Sequence, residues 1–304
     1  MDLESFSAAA REFYQQGQYG ALVAYTGVVL DHITQEAVSP EAEAAVRLWR
    51  GNGYYGLGRQ GSAVSCYNEA LSLVVEDEAP VLASQILTSL MTVYAATPEY
   101  QEFDTLHNRY QALCQGYPTA SRWSPWVLYN KGVCLEWSMN LEAAVSAYED
   151  CLRACANTHL DGVADLTAAA LSNATGVYLQ LGRFKDAKEC LAADRSGWSV
   201  ERRAMMEIYE ARCLVLTGEV SRARAVIANV KDFPGLSEAT MAEFCLTSAL
   251  CHKAEGNTSA ARTAAYQAVD YAYKARPEHA AARDSAIRLL RSLSKDRTKE
   301  GIEE

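Results

Sequence analysis

Three groups of residues in this sequence have types and spacing that could do chemistry. The segment Gly51-Asn52-Gly53-Tyr54-Tyr55-Gly56 matches GxGxxG, the pattern by which a glycine-rich turn cradles a pyrophosphate at a helix start. That chemistry needs a strand before the glycines, and helical periodicity runs into them here, so nucleotide binding is not expected. Cys151 and Cys155 stand one helical turn apart and could share a metal, but no His or further Cys follows at ligand spacing. The third group is amides. An Asn side chain offers both a donor and an acceptor, so Asn residues at equivalent positions on successive helices can hold an extended backbone without reading its side chains. Asn130 and Asn173 are placed that way.

Other catalytic signatures are missing from the sequence. The five histidines (32, 107, 159, 252 and 279) are scattered without HExxH, and neither a GxSxG elbow nor a DDxxD-like cluster occurs. The expectation is a protein that is not an enzyme and that needs no cofactor or metal. The acidic run Glu76-Asp77-Glu78 reads as solvated surface ending a helix.

Composition narrows the partners. With 304 residues, 49% hydrophobic and 22% charged, the chain can bury a sizeable core. A formal net charge of −10 repels phosphate backbones and anionic membranes, so nucleic acid and membrane are not expected partners. No stretch reaches the roughly 20 apolar residues of a membrane helix. The opening MDLESFSAAAREFY is acidic and is not read as a secretory signal. The nine cysteines, odd in number and without CxxC pairs, read as reduced core thiols of a cytoplasmic protein.

Positioning of the amides depends on how the chain repeats. Apolar and small residues recur at three- and four-residue spacing throughout, which predicts an all-α fold. A small residue, an aromatic or Leu three on, a turn residue four further and an apolar residue five beyond return seven times. The sets are Ala10/Phe13/Gly17/Leu22, Gly51/Tyr54/Gly58/Ala63, Met91/Tyr94/Pro98/Phe103, Gly132/Leu135/Met139/Ala144, Thr175/Tyr178/Gly182/Ala187, Ala211/Leu214/Gly218/Ala223 and Ala249/His252/Gly256/Ala261. The last column advances by 36 to 43 residues. Small residues let two antiparallel helices approach, and a glycine past a helix end can take the left-handed conformation that closes it. Ser39-Pro40-Glu41, Ser124-Pro125 and Ser237-Glu238 read as N-cap starts of first helices.

This pattern resembles the tetratricopeptide repeat family, most closely in GNGYYGLGRQGSAVSCYNEAL (51–71), KGVCLEWSMNLEAAVSAYEDCL (131–152) and ATGVYLQLGRFKDAKECL (174–191). Other units depart from it, with Leu22 and Phe103 where Ala is usual, His252 in the aromatic slot, and Thr26 and Ala265 where the second helix usually carries a bulky aromatic. The period near 40 is similar to the long-repeat branch found in bacterial regulators and cargo adaptors. The resemblance implies a right-handed superhelical solenoid of about seven helix hairpins, starting near residues 3, 44, 84, 125, 168, 204 and 242. A C-terminal capping helix over 277–293 would complete a single domain over 1–293, followed by a charged, frayed tail over 294–304. The third repeat (84–110) is the least regular.

Such a solenoid implies a concave face lined by first helices and suited to a protein segment or an extended peptide. The shared register puts Arg11, Tyr14, Thr88, Thr92, Trp126, Glu136 and Lys253 on that face. It also puts there the residues expected to bind: Trp49, Asn52, Tyr55, Tyr129, Asn130, Trp137, Asn173, Gln180, Tyr209 and Arg212. Aromatics would form pockets, amides would grip backbone, and Arg11 and Arg212 would either receive a carboxylate or, as the preferred reading, make surface ion pairs. The resemblance extends to peptide-pheromone receptors of the Rap and PlcR type, which would make the chain a sensory domain without its own DNA-binding helices. A self-associating scaffold, including a homodimer through the first helix, is the remaining alternative.

Overall fold

The structure, a computed structural model, describes residues 3–33, 38–95, 97, 100–158, 160–275 and 280–300. Among them every regular element is helical. The α-helices are α1 Leu3–Gln15, α2 Tyr19–Ile33, α3 Pro40–Gly56, α4 Gln60–Ser72, α5 Pro80–Ala95, α6 Tyr100–Gly116, α7 Ser124–Trp137, α8 Leu141–Ala156, α9 Val163–Leu181, α10 Phe184–Leu191, α11 Val200–Leu216, α12 Val220–Asn229, α13 Glu238–Ala254, α14 Thr258–Lys274 and α15 Ala280–Glu300. The sequence reading expects one continuous array; the chain divides into two compact units, residues 1–134 and 135–304.

Successive helices pair as hairpins, and the four repeat columns are one hydrogen-bonded device. Gly17, Gly58, Gly182, Gly218 and Gly256 all have positive φ, between 69° and 88°. The N–H of the following residue reaches back to the aromatic-slot carbonyl: Gln18 to Phe13, Arg59 to Tyr54, Arg183 to Tyr178, Glu219 to Leu214 and Asn257 to His252, at 2.8–2.9 Å. These are Schellman closures, which satisfy first-helix carbonyls that would otherwise be orphaned. The carbonyl of that same residue then accepts the last-column N–H, as Arg59 does from Ala63 at 3.0 Å, and so starts the second helix. The fourth hairpin closes identically through Met139, whose φ of 59° makes it the positive-φ residue that is not glycine among the described residues. Pro98, the expected turn residue of the third hairpin, lies outside the described residues, as does Pro277 at the expected start of the cap.

Residues of the first and last columns are buried without exception. Gly51 shows why size matters there: a Cβ on it would lie 2.4 Å from the Tyr67 ring of α4. The other glycines of the nucleotide-like segment have the same purpose. A Cβ on Gly53 would meet Val23 at 2.8 Å, and one on Gly56 would meet the Tyr19 ring at 2.4 Å, both on α2. All three lie inside α3, whose sides they flatten for close approach. The irregular third repeat compensates within itself: Phe103, 1% exposed in an Ala slot, stacks on His107 where other hairpins carry tyrosine. Thr26, in a slot for a large aromatic, is fully buried and donates to the Leu22 carbonyl at 2.8 Å.

Ser39 and Ser237 cap α3 and α13 by accepting from Ala42 and Thr240 backbone N–H groups. Ser124 differs from its expected role as a cap. A 3-10 turn, Pro118–Trp123, runs directly into α7, so Ser124 is already helical and its hydroxyl meets that of Tyr110 at 3.1 Å. Ser199, which caps α11, was not anticipated. The run Glu76-Asp77-Glu78 lies in the loop after α4, with Glu76 paired to Arg109 at 2.5 Å. At the C-terminal end Ala286, Leu289 and Leu293 of α15 close over a cluster from α13 and α14 that includes Leu246, Ala261 and Ala265. The helix continues past Leu293 to Glu300.

Two substitutions test this device in opposite directions. Gly51→Ala should lower stability by about 2 kcal/mol, because the Tyr67 ring it would strike is buried and tied through its hydroxyl to Asn52. Met139→Gly should raise it by about 1 kcal/mol by relieving a left-handed conformation that costs a side-chain-bearing residue. Denaturant midpoints of both variants, read against wild type, measure each effect.

Candidate functional site

The first helices carry the residues expected to bind, and Asn52, Asn130, Asn173 and Arg212 among them are already hydrogen-bonded. In residues 1–134, Trp49 of α3 is partly buried and meets Tyr14 of α1 edge-on, with centroids 6.3 Å apart. Tyr14 also meets Tyr19 at 5.5 Å, and burial with the neighbouring phenols Tyr19 and Tyr55 pushes its own phenol up to about 12. Asn52 accepts from the Tyr67 hydroxyl at 2.8 Å, so a tyrosine of the second helix reaches the first-helix face from behind. Tyr55 is partly buried against the same core. Asn130, only 4% exposed, donates through its amide nitrogen to Thr92 Oγ1 at 2.8 Å, and Tyr129 beside it is half-buried.

Residues 135–304 hold the more polar arrangement. Asn173 of α9 donates to the Tyr148 hydroxyl at 3.3 Å, and Tyr148, fully buried in α8, donates to Glu136 Oε2 at the end of α7 at 2.9 Å. Arg212 of α11 pairs with the Glu243 carboxylate of α13. It also donates to Thr247 Oγ1 at 2.8 Å and to the Glu243 carbonyl at 3.2 Å. Its guanidinium lies 5.6 Å from the Tyr209 ring centroid. The Tyr209 hydroxyl comes within 2.9 Å of where a Cβ on Gly176 would stand, so that glycine is what admits it. Trp137 is half-buried, and Gln180 is exposed at the end of α9. Four successive first helices, α7, α9, α11 and α13, thus build one polar patch.

The electrostatics of this patch are unbalanced. Arg212 is taken up by Glu243, so the two charges offset each other. Glu136 has no cation at ion-pair distance among the described residues, and the charged group that reaches it is the Glu243 carboxylate. Desolvation, with Glu243 adding to it and the Tyr148 hydrogen bond opposing, raises the Glu136 carboxyl to about 7. Tyr209 is held far above the usual phenol range, mainly by desolvation and then by Glu243.

Glu136, Glu243, Thr247 and Tyr148 were not among the residues expected to bind. The signal for Glu136 was present: it is an inward-facing carboxylate with no Lys or Arg three or four positions away. Of the two readings of Arg212, a carboxylate receiver or an ion pair, the structure has the ion pair, made with Glu243. The cysteines behave as packing. Seven of the nine are buried, and the Cys151 and Cys155 sulfurs sit 4.0 Å apart inside α8.

No protein-family model matches the chain, and no curated protein matches it in sequence. Solved structures do match in fold. A tetratricopeptide repeat protein from Parabacteroides merdae aligns at TM-score 0.57 with 16% identity, covering 96% of this chain and 98% of its own. The apo form of RapI aligns at 0.62 with 12% identity, covering 90% and 98%. NprR in complex with its cognate peptide NprX aligns at 0.54 with 14% identity, covering 93% and 86%. The fold is therefore a tetratricopeptide-like helical repeat. No helix among the described residues is long and apolar enough to cross a membrane.

The raised Glu136 carboxyl makes stability pH-dependent with a definite sign. An acid whose folded value lies above its unfolded one stabilises the fold below the unfolded value, and that contribution is lost as pH rises through the folded value. Raising the pH from about 4.5 through about 7 should therefore cost wild type stability that Glu136→Gln keeps. The difference in thermal midpoint, variant minus wild type, should grow across that window; a constant difference would show Glu136 to be fully solvated.

Proposed function

We propose that this chain is a non-catalytic peptide-binding module that holds an extended segment against its first-helix face, chiefly across α7, α9, α11 and α13. The observation that carries this reading is the connected polar patch of Glu136, Asn173, Tyr209, Arg212 and Glu243, drawn from four successive hairpins. Consecutive first helices present side chains at the intervals an extended peptide needs, and each helix brings at least one donor or acceptor. The face needs no closure or moving part to form, which favours binding over chemistry.

Likeness to NprR with its cognate peptide supports a peptide as the occupant, and the same likeness supports use as a sensory domain. Nine cysteines, odd in number and mostly buried, favour a reducing compartment such as the cytoplasm. The amides act here through hydrogen bonds they already make: Asn173 donates to Tyr148, which holds its amide in one orientation.

Protein purified gently from its own cells and sprayed from native solution should carry extra mass that leaves on denaturation and sequences as peptide. Asn173→Ala should weaken recapture of that peptide about tenfold, the loss expected for one hydrogen bond to a desolvated backbone, with circular dichroism unchanged. A clean chain mass, with no peptide retained from a randomised pool, would count against the module reading.

A further inference from the structure

We propose that the Glu136 position is a subsite for a positively charged group of the bound segment, either a lysine or arginine side chain or a free amino terminus, and that occupying it releases a proton. The proposal rests on the peptide-binding reading above and adds to it the chemistry of one position.

Geometry is the first support. The patch contains two carboxylates and one guanidinium, and the guanidinium is fully committed: Arg212 is spread over Glu243, Thr247 and the Glu243 carbonyl. Glu136 keeps a single described partner, the neutral hydroxyl of Tyr148, which meets Oε2 at 2.9 Å and leaves its other oxygen without a described donor. The half-buried Tyr209 is electrostatically coupled to Glu136, and its hydroxyl makes no hydrogen bond among the described residues. A carboxylate oxygen without a described donor fits an ammonium or guanidinium, which would donate to it. A ligand carboxylate would instead meet Glu136 and Glu243 at once.

Every charged or titratable group packed toward Glu136 is accounted for. Among the described residues, Tyr148 of α8 donates to Glu136, the Glu243 carboxylate acts on it from α13 and Tyr209 is coupled to it from α11; Asn173 of α9 does not titrate. Arg212 is paired with Glu243, and burial holds the Tyr209 phenol far above its usual range. Glu136 is thus the group that changes charge near pH 7. A cation favours its ionised form, so binding displaces a proton from whatever fraction is still protonated.

The test uses the full-length protein and a randomised heptapeptide pool, half of it N-acetylated, with retained peptides read by mass spectrometry at pH 6 and pH 8. Wild type should enrich Lys and Arg at one position, or free over acetylated amino termini, and the two halves of the pool distinguish these sources. Affinity for an enriched peptide should rise about tenfold between the two pH values, the ratio of ionised carboxylate for a group titrating near 7. Glu136→Gln should still retain peptides but lose both the charge preference and the pH dependence. Tyr148→Phe, which removes a hydrogen bond that favours the carboxylate, should keep the preference and move the pH midpoint upward. Peptides retained by wild type without charge preference, or with a preference that survives in Glu136→Gln, would overturn the subsite and leave the module reading standing. No retention by any form would overturn both.

Discussion

Everything in this structure depends on how closely a first helix and its second helix can approach. Gly51 against the Tyr67 ring is the clearest case, since a single added methyl would fall inside the ring's van der Waals surface. Close approach requires a small residue at the contact and a turn short enough to return the chain immediately. The left-handed residue supplies the second requirement, because its closure satisfies the last carbonyls of one helix while its neighbour's carbonyl starts the next. The aromatic slot is tied to both: its ring fills the gap beside the small contact, and its carbonyl accepts the closing hydrogen bond.

That constraint explains what the sequence makes legible. Positive φ is a local property with a local residue preference, so five turns could be read from glycine spacing, and the fold class follows from them. Met139 fits the same slot only through its register, because its side chain gives no sign of a left-handed backbone. Local reading fails where a nonlocal contact decides. Ser124 looks like a cap next to proline, yet the preceding 3-10 turn already supplies the helix with its start and Tyr110 takes the hydroxyl. The glycines at 51, 53 and 56 are a further case: a phosphate-like spacing arises because one helix must flatten toward two neighbours, α2 and α4.

The face of the first helices was legible in position and much less so in chemistry. Register indicates which first helix carries each candidate, but it says nothing of what reaches it through the hairpin. Tyr67 and Tyr148 occupy the same second-helix slot, and each sends its hydroxyl through to a first-helix residue, Asn52 in one hairpin and Glu136 in the other. A tyrosine in a buried slot reads in sequence as apolar volume. Its polar tip is what sets the orientation of the binding candidates, and the partner of that tip lies 12 to 15 residues away.

A helical array of this kind satisfies its backbone within each helix, so its polar side chains are the part that must find partners elsewhere. Some do so between adjacent hairpins, as Glu201 of α11 does by accepting from the Ser237 backbone N–H and both the Ser237 and Thr240 hydroxyls at the start of α13. Glu136 is different because its one described donor is neutral and the charge nearest to it has its own sign. A carboxylate in that setting destabilises the fold when ionised, and its neutral form makes poorer use of the Tyr148 donor. Neither protonation state is well served by the residues around it, and an external cation improves one of them without disturbing any existing pair. A carboxylate that the fold leaves short of donors is therefore a position where a ligand has something to contribute.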